Sequence, residues 1–424
     1  MAFFLYFLLT SVLYPFLFLF SLFNSKLNKR NVIERAQYLN ALKIVKSNQK
    51  KIIWIHAASG GEFEQVVPIL EKINRTKYFI LLSFMSPTIF EIQKNTPLAD
   101  AIIYHPLDFY WSAKKFIKDF KPNYYILNRH DIWPHHIYFA HKHYVKIVMI
   151  NFNLHKNSAR FWWIFKPFNK LIFNKFNKIY TGTNRLKSSI SQFVNEDKIT
   201  VTGDTRFNRV INRMKNNTSP LLPEKFNNSK NIILGSIIES DYDIVFDGIL
   251  KKFPNGENDF IEQNIGLIIT PHEVDQHTIS KIEKKLIQNK ISYQLYSKIE
   301  KINDPFNYST IIVDTVGILA DLYKYANVSY IGAGFGAGVH NVLEPAVYGC
   351  AVSFGPNIHI LDEAIEMVNI GLGTMVHNTN EFYTFLELLN NENEFNETKA
   401  KLKSFVKDNA CDINSILNGI LNET

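Results

Sequence analysis

The chain opens on an uncharged apolar run, "AFFLYFLLTSVLYPFLFLFSLF", from Ala2 to Phe23. At a rise of ~1.5 Å per residue a helix of this length matches a hydrocarbon core of ~30 Å. Pro15 kinks such a helix, which membrane helices tolerate. Lys26, Lys29, Arg30 and Arg35 follow at once, and a cationic flank on this side predicts that everything downstream stays in the cytoplasm. A removable signal peptide fits poorly, because no positive segment precedes the run and no small-residue cleavage site follows it. Residues 1–25 are therefore expected to be an N-terminal membrane anchor. A helix lying in the membrane interface, or buried in a core, is the competing reading.

From residue 51 onward short apolar runs alternate with helical stretches. The strand candidates are "KIIWIHA", "YFILLSF", "AIIYHP", "NYYILN", "KIVMIN", "KIYTG" and "KITVTG", with helix candidates such as "EFEQVVPILEKI" and "YWSAKKFIKDF" between them. Strands that are apolar throughout, separated by helices, predict a parallel sheet covered on both faces. Residues 26–208 thus read as a doubly wound α/β domain. Residues 209–230 are polar, carry Pro220 and Pro223 and lack an apolar period, as expected of an interdomain linker. The rhythm resumes with "NIILGS", "IGLIITP", "STIIVD", "VSYIGAG" and "CAVSFGP", predicting a second doubly wound domain over 231–424. Two Rossmann-like domains facing a central cleft would bind ligands at the carboxyl ends of their strands.

Composition agrees with two folded domains. A chain of 424 residues is too long for one ordinary core, and 46% hydrophobic with 14% aromatic residues sets disorder aside. The net charge of +8 suits anionic partners, although abundant Lys and Asn account for part of it. Cys350 and Cys411 give neither a disulfide framework nor a metal-ligand cluster, which points to a reducing compartment.

Two stretches carry candidate chemistry. In "HAASGGEF", Ser59 and Glu62 have the spacing of a capping box at the start of a helix, and Glu62 equally suits a general base just past a strand end. In "IGAGFGAGVHNVLEPAVYG" a strand runs into Gly332, Gly334, Gly336 and Gly338, with a helix expected to start near His340 or Asn341. Glycines allow close backbone approach to a ligand, and free N–H groups at a helix start attract phosphate. Glu344 falls where it could accept from ribose hydroxyls. The nicotinamide dinucleotide pattern is not matched. A glycine turn that serves packing alone is the bland alternative.

The motifs "HAASGGEF", "HPLD", "DIWP", "VTGDTRF", "TPHE", "VDTVGILADLY" and "GAGVHNVLEPAVYG…VSFGP", in this order, resemble the 3-deoxy-D-manno-octulosonic acid (Kdo) transferases. The resemblance covers nearly the whole chain. It implies a GT-B type glycosyltransferase that moves Kdo from CMP-Kdo to a lipid A precursor with inversion, in lipopolysaccharide biosynthesis at the cytoplasmic face of the cell inner membrane. It implies Glu62 as catalytic base, and a CMP site drawing on Pro271, His272, Val316, Gly317, Ile318, Asn341, Val342, Leu343 and Glu344. Ser59, Gly61, Arg129, Asp131 and His340 are the further substrate-binding candidates. The first domain would bind the acceptor and the second the nucleotide sugar. Neither a cofactor nor a metal is implied.

Three positions depart from the family pattern. Pro271-His272-Glu273 lacks an arginine, "GSIIESDYD" lacks a histidine and leaves Glu239, Asp241 or Asp243 as stand-ins, and Asp131 replaces a glutamate. "ARFWWIFKPFNKLIFNKFNK", residues 159–178, interleaves aromatics with Lys166, Lys170, Lys175 and Lys178. It fits a lipid boundary as well as it fits a core-facing helix with solvated lysines. The five histidines His130, His135, His136, His141 and His143 match no standard metal-ligand spacing, and Arg129 with His130 better suits a carboxylate or phosphate. No RNA-binding motif accompanies the basic and aromatic residues, so nucleic acid is not an expected partner. Another GT-B glycosyltransferase using a different nucleotide sugar and a lipid acceptor, and a membrane-tethered binding protein without catalysis, are the alternatives.

Overall fold

In the computed structural model residues 2–154, 158–299, 306–359 and 361–421 are described. They form two compact units, residues 1–209 together with 409–424, and residues 210–408. Residues 409–424, expected within the second domain, therefore belong to the first unit. The stretch 209–230, expected to be a linker, holds the end of the helix Thr205–Asn216 and the short helix Lys225–Asn228.

Unit 1 is built on a seven-stranded parallel sheet of β1 (Lys51–Ala57), β2 (Tyr78–Phe84), β3 (Ala101–Tyr104), β4 (Tyr124–Asn128), β5 (Lys146–Ile150), β6 (Lys178–Thr181) and β7 (Ile199–Val201). Its order is β3-β2-β1-β4-β5-β6-β7. The strands are continuous apolar runs because both faces are covered. Trp54, Leu127 and Met149 enter one core, and Ile53, Ile55 and Ile126 enter the other. The indole of Trp54 stacks on Tyr125 of the neighbouring strand at 3.7 Å, a large buried aromatic contact at the sheet centre.

Unit 2 repeats the plan with β8 (Lys230–Ile237), β9 (Ile265–Pro271), β10 (Tyr293–Leu295), β11 (Thr310–Ile312), β12 (Val328–Ile331), β13 (Ala351–Phe354) and β14 (Gly373–Met375), in the order β10-β11-β9-β8-β12-β13-β14. The hydrophobic pattern pointed to neither edge strand, β10 nor β14. Each is three residues long and only partly buried, so neither has a long apolar run to betray it. In both sheets the connection reverses beside the first strand, between β1 and β4 in unit 1 and between β8 and β12 in unit 2. Such a switch point opens a crevice at the carboxyl ends of the strands.

The N-terminal run forms the helix α1 (Ala2–Phe23), followed after Asn24 by α2 (Ser25–Lys46). Among the described residues no helix is long and apolar enough to cross a membrane. One side of α1 packs on the rest of unit 1. Phe3 stacks on Tyr138, Phe7 meets Tyr110 edge-on, Tyr14 meets Trp111, and the Tyr6 hydroxyl donates to Asp108 Oδ2 at 2.9 Å. Part of the expected cationic flank is structural. Arg30 is buried and donates to the His105 carbonyl at 3.1 Å. Arg35 is exposed, and the side chains of Lys26 and Lys29 lie outside the described residues.

Candidate active site

The helix α3 (Gly60–Leu70) begins where β1 ends. Ser59 is its N-cap, accepting from the Glu62 amide at 3.4 Å, and Glu62 Oε2 accepts from the Ala58 amide at 2.6 Å. Glu62 therefore reaches past the cap residue by one position, and only one of its two oxygens is used. No donor among the described residues meets Oε1. Burial and the Asp131 carboxylate raise the Glu62 carboxyl above its ordinary value, against the Ala58 amide, His56 and His130, which lower it. A carboxylate so tuned accepts a proton more readily than an exposed glutamate. The cap thus engages Oε2 and leaves Oε1 of the same side chain uncommitted.

Asp131 comes from the turn after β4 and joins Glu62 at the switch point. Its Oδ2 stands 2.8 Å from Nε2 of His56, a fully buried residue of β1. The pair lacks hydrogen-bond alignment, and both atoms are buried with no hydrogen-bond partner. The other ring nitrogen, Nδ1, lies 3.0 Å from the Ser83 carbonyl and 3.0 Å from its hydroxyl. Arg129 enters the turn with φ +57 and donates its amide to the Ile150 carbonyl at 2.9 Å. The exposed His130 faces Asn153, at 3.3 Å from Nδ1 to Oδ1, and its carbonyl accepts from Arg160 at 3.2 Å. Unit 1 thus brings together Ser59, Glu62, Asp131 and, through their fields on Glu62, His56 and His130. Gly61 sits beside them with open space where a Cβ would stand.

Behind α3 lies a buried polar network that sequence reasoning missed. Asn128 Nδ2 donates to Gln65 Oε1 at 2.9 Å and to the Glu62 carbonyl at 3.2 Å. Asn151 Nδ2 donates to Asn128 Oδ1 at 2.9 Å and to the Thr205 hydroxyl at 2.7 Å, and that hydroxyl donates to the Gln65 carbonyl at 2.6 Å. Asparagines closing two neighbouring apolar strands, "YYILN" and "IVMIN", were the available signal. The network fixes the first turn of α3, and with it Glu62.

The histidine cluster resolves into unlike parts. His135 and His136 are buried, and their amides donate to the Asp108 carboxylate at 3.1 Å each. Asp108 thereby caps the helix Pro134–Lys142. Burial would raise its carboxyl, but His135 and His136 hold it far below the ordinary range. His141 and His143 are exposed at the other end of that helix. Among the described residues no group of three or more His, Cys, Asp or Glu side chains could hold a metal ion.

In unit 2 the glycine loop follows β12, and two residues take the left-handed region, Ala333 at φ +69 and Gly338 at φ +120. The amides of Gly336 and Gly338 both donate to the Ala333 carbonyl at 3.0 Å. At Gly334 a Cβ would stand 2.5 Å from the Gly355 amide nitrogen. Asp241, one of the three stand-in acids, is fully buried and holds the loop from within. It accepts from the Ala333 amide at 2.8 Å, the Ile238 amide at 2.9 Å and the Tyr330 hydroxyl at 3.0 Å. Glu239 and Asp243 lie at the surface, paired with Lys281 and Lys285.

Pro271 ends β9, and His272 follows it with Nδ1 3.0 Å from the Ser236 hydroxyl. The ring of His340 stacks on His272 at 4.5 Å. Burial and the neighbouring His272 lower the His340 pKa, and its Nε2 is buried without a partner. The helix expected near His340 starts later, at Leu343, and runs only to Tyr348. Asn341 shortens it, because its side chain accepts from the Leu343 amide at 3.0 Å and donates to Glu344 at 3.1 Å. Val342 and Leu343 are buried. Burial raises the Glu344 carboxyl, with Arg213 opposing. Val316, Gly317 and Ile318 form an exposed turn after β11. Gly317 has φ +88, and its carbonyl accepts from Arg213 at 3.1 Å.

Residues 30–209 match the profile of the family described as "3-Deoxy-D-manno-octulosonic-acid transferase (kdotransferase)". The chain is 26% identical over 403 residues to 3-deoxy-D-manno-octulosonic acid transferase of Chlamydia muridarum, covering 89% of each. It is 28% identical over 351 residues to the protein of that name from Aquifex aeolicus, covering 82% of this chain and 88% of that one. Among solved structures, UDP-GlcNAc 2-epimerase from Neisseria meningitidis superposes with a TM-score of 0.61 at 14% identity, over 88% of this chain and 100% of that one. A likeness at that identity speaks for the fold alone.

Proposed function

We propose that the chain, whose residues 30–209 match the Kdo transferase profile and which resembles Kdo transferases over most of its length, transfers Kdo from CMP-Kdo to a lipid A precursor, inverting the anomeric carbon, at the cytoplasmic face of the inner membrane. The observation that carries this reading is Glu62 at the β1/β4 switch point, with one free oxygen and a carboxyl raised by burial and Asp131. In the proposed step an acceptor hydroxyl oxygen attacks the anomeric carbon of Kdo. The bond from that carbon to the phosphate oxygen breaks, CMP leaves with the bonding pair, and Glu62 Oε1 takes the hydroxyl proton. A single displacement of this kind inverts the centre, and a base held within ~3 Å of the hydroxyl contributes about 10²- to 10⁴-fold in rate.

We assign the nucleotide to the carboxyl-end loops of unit 2, namely His272, the turn Val316–Ile318 and the segment from His340 to Glu344. Because the helix after the glycine loop is only six residues long, its dipole is a small contribution, and phosphate recognition rests on loop amides and on the His272–His340 pair. His272 stands where an arginine was expected and gives ring N–H donation in place of a fixed guanidinium charge. Ser59, Gly61, Arg129 and Asp131 are proposed to line the acceptor side.

Incubating the protein with CMP-Kdo and a lipid A precursor, and weighing the lipid by mass spectrometry, tests this reading. The expected product is heavier by one or more Kdo residues. Turnover with a UDP-sugar alone would move the chain to another donor, and no turnover with any nucleotide sugar would leave a binding protein.

A further inference from the structure

Two of the three residues in the turn Val316–Ile318 lack side-chain anchors. Val316 is 73% exposed, and a Cβ at Gly317 would meet nothing within 4 Å. The carboxyl side of the turn is fixed, because the Ile318 carbonyl accepts from the Asp321 and Leu322 amides at 2.9 and 3.1 Å. Its other backbone tether among the described residues comes from Arg213, the last arginine of the sequence. Nη2 donates to the Gly317 carbonyl at 3.1 Å, while Nε and Nη2 grip the Asp321 carboxylate at 2.9 Å each. A half-exposed Arg–Asp pair contributes little by itself. A planar fork with a third acceptor, however, fixes direction as well as charge. A trans peptide points its N–H opposite its C=O, so turning the Gly317 carbonyl to Arg213 leaves the Ile318 amide facing the other way. The amides of Gly317 and Ile318 meet no acceptor among the described residues.

The same stretch of chain reaches the second nucleotide segment. Asn217 donates from Nδ2 to the Asp321 carbonyl at 2.8 Å and to the Tyr348 hydroxyl at 2.8 Å, and its Oδ1 accepts from Lys324 at 3.2 Å. Tyr348 closes the helix Leu343–Tyr348, whose first turn carries Glu344. Arg213 and Asn217 together thus bond to both segments assigned to the nucleotide. The guanidinium also acts on Glu344 through its field. Burial raises that carboxyl, Arg213 and the Asn341 side chain lower it, and Asp321 raises it. Tyr323 and Tyr348, which also feel the Glu344 charge, are held above their ordinary values and stay neutral through the acid range. An ionised carboxylate offers both oxygens as acceptors to ribose hydroxyls, whereas a protonated one turns part of that capacity into a donor.

We propose that Arg213 and Asn217 are positioning residues of the nucleotide crevice, Arg213 by directing the Gly317–Ile318 peptide and keeping Glu344 an acceptor for ribose hydroxyls, Asn217 by tying the two segments together. These roles rest on the assignment of a cytidine nucleotide to unit 2, and calorimetric titration of the full chain with CMP across the acid range separates the two. Arg213→Gln should weaken CMP binding by about tenfold through a looser turn. It should also move the acid limb of binding to higher pH, because Glu344 loses a lowering influence. Titration of the ligand's own phosphate is common to variant and parent and cancels in that displacement. Arg213→Lys keeps the charge without the fork, so its limb should return toward the parent's while affinity stays reduced. Asn217→Ala exchanges one uncharged residue for another, and should weaken CMP binding with the limb in place. Binding by Arg213→Gln equal to the parent's at every pH overturns these roles and leaves the nucleotide assignment intact. Weaker binding with an unmoved limb reduces Arg213 to a support of the fold and overturns its role as well. A parent chain that does not bind CMP overturns the assignment and both roles with it.

Discussion

The two sheets share a strand order and a switch point, yet they equip their crevices in different currencies. Unit 1 presents titratable side chains. Glu62 and Asp131 sit after β1 and β4, tuned by His56 and His130 and fixed by the Gln65–Asn128–Asn151–Thr205 network. Unit 2 presents backbone. Its loop after β12 is shaped by Ala333 and Gly338 in left-handed conformations and held by Asp241, which is spent on two amides and a tyrosine hydroxyl. One architecture thus carries two carboxylates beside one switch point and a glycine-shaped loop beside the other. Fold alone predicts neither, since function resides in what the strand ends carry.

The largest test of this contrast is Glu62→Gln. The amide oxygen can still accept from Ala58, so melting should change by no more than the ~1 kcal/mol of a cap, while Kdo transfer should fall by about 10²- to 10⁴-fold. His272→Ala in unit 2 should raise KM for the donor and affect kcat less, because backbone contacts persist. Equal kcat losses in the two variants would erase the distinction between the crevices.

Stability should divide in the same sense. Asp241→Ala leaves the Ala333 and Ile238 amides and the Tyr330 hydroxyl without their acceptor, and an unmet buried group costs about 1–3 kcal/mol. Gly334→Ala forces a Cβ to 2.5 Å from the Gly355 nitrogen, at about 1–3 kcal/mol for overpacking. Gly61→Ala, with nothing within 4 Å of its Cβ, should stay within about 0.5 kcal/mol. Chemical denaturation reads all three. A Gly334→Ala protein as stable as Gly61→Ala would mean that the close approach of the two loops in unit 2 is not needed.

Much of this was legible in the amino-acid order, for physical reasons. Strands buried on both faces are continuous apolar runs, so twelve of the strands among the described residues announced themselves, while the short edges β10 and β14 were silent. Glu62 was legible because a serine three residues before it marks a helix start. The placement of α1 was not. A helix apolar on every side has no periodic signal, and its docked face is chosen by Tyr6 meeting Asp108 far along the chain. The delayed helix start at Leu343 was hidden for a local reason, since Asn341 uses its side chain to hold the turn open. The Asn128–Asn151 network was hidden because two strand-end asparagines gain meaning only when the strands lie side by side.

The smallest expected effect is a displacement along the pH axis, and it probes the coupling that distinguishes unit 1. The Glu62 carboxyl is raised first by burial and then by Asp131. A base must be ionised to accept a proton, so the acid limb of kcat/KM should lie above the ordinary glutamate value. Asp131→Asn removes one of the two raising causes and should move that limb to lower pH, leaving it above the ordinary value because burial remains. Stability must follow the same linkage. A carboxyl raised in the folded state contributes stability that is fully present below its unfolded pKa and is lost as pH rises through the folded one. Glu62→Gln does not titrate, so its stability relative to the parent should improve as pH climbs through that window and then level off. Melting the two proteins across the acid range measures the difference directly. A variant that instead loses stability relative to the parent as pH rises would show that ionised Glu62 is welcomed by its surroundings, and the tuning by Asp131 would then fail as the feature that separates this crevice from the other.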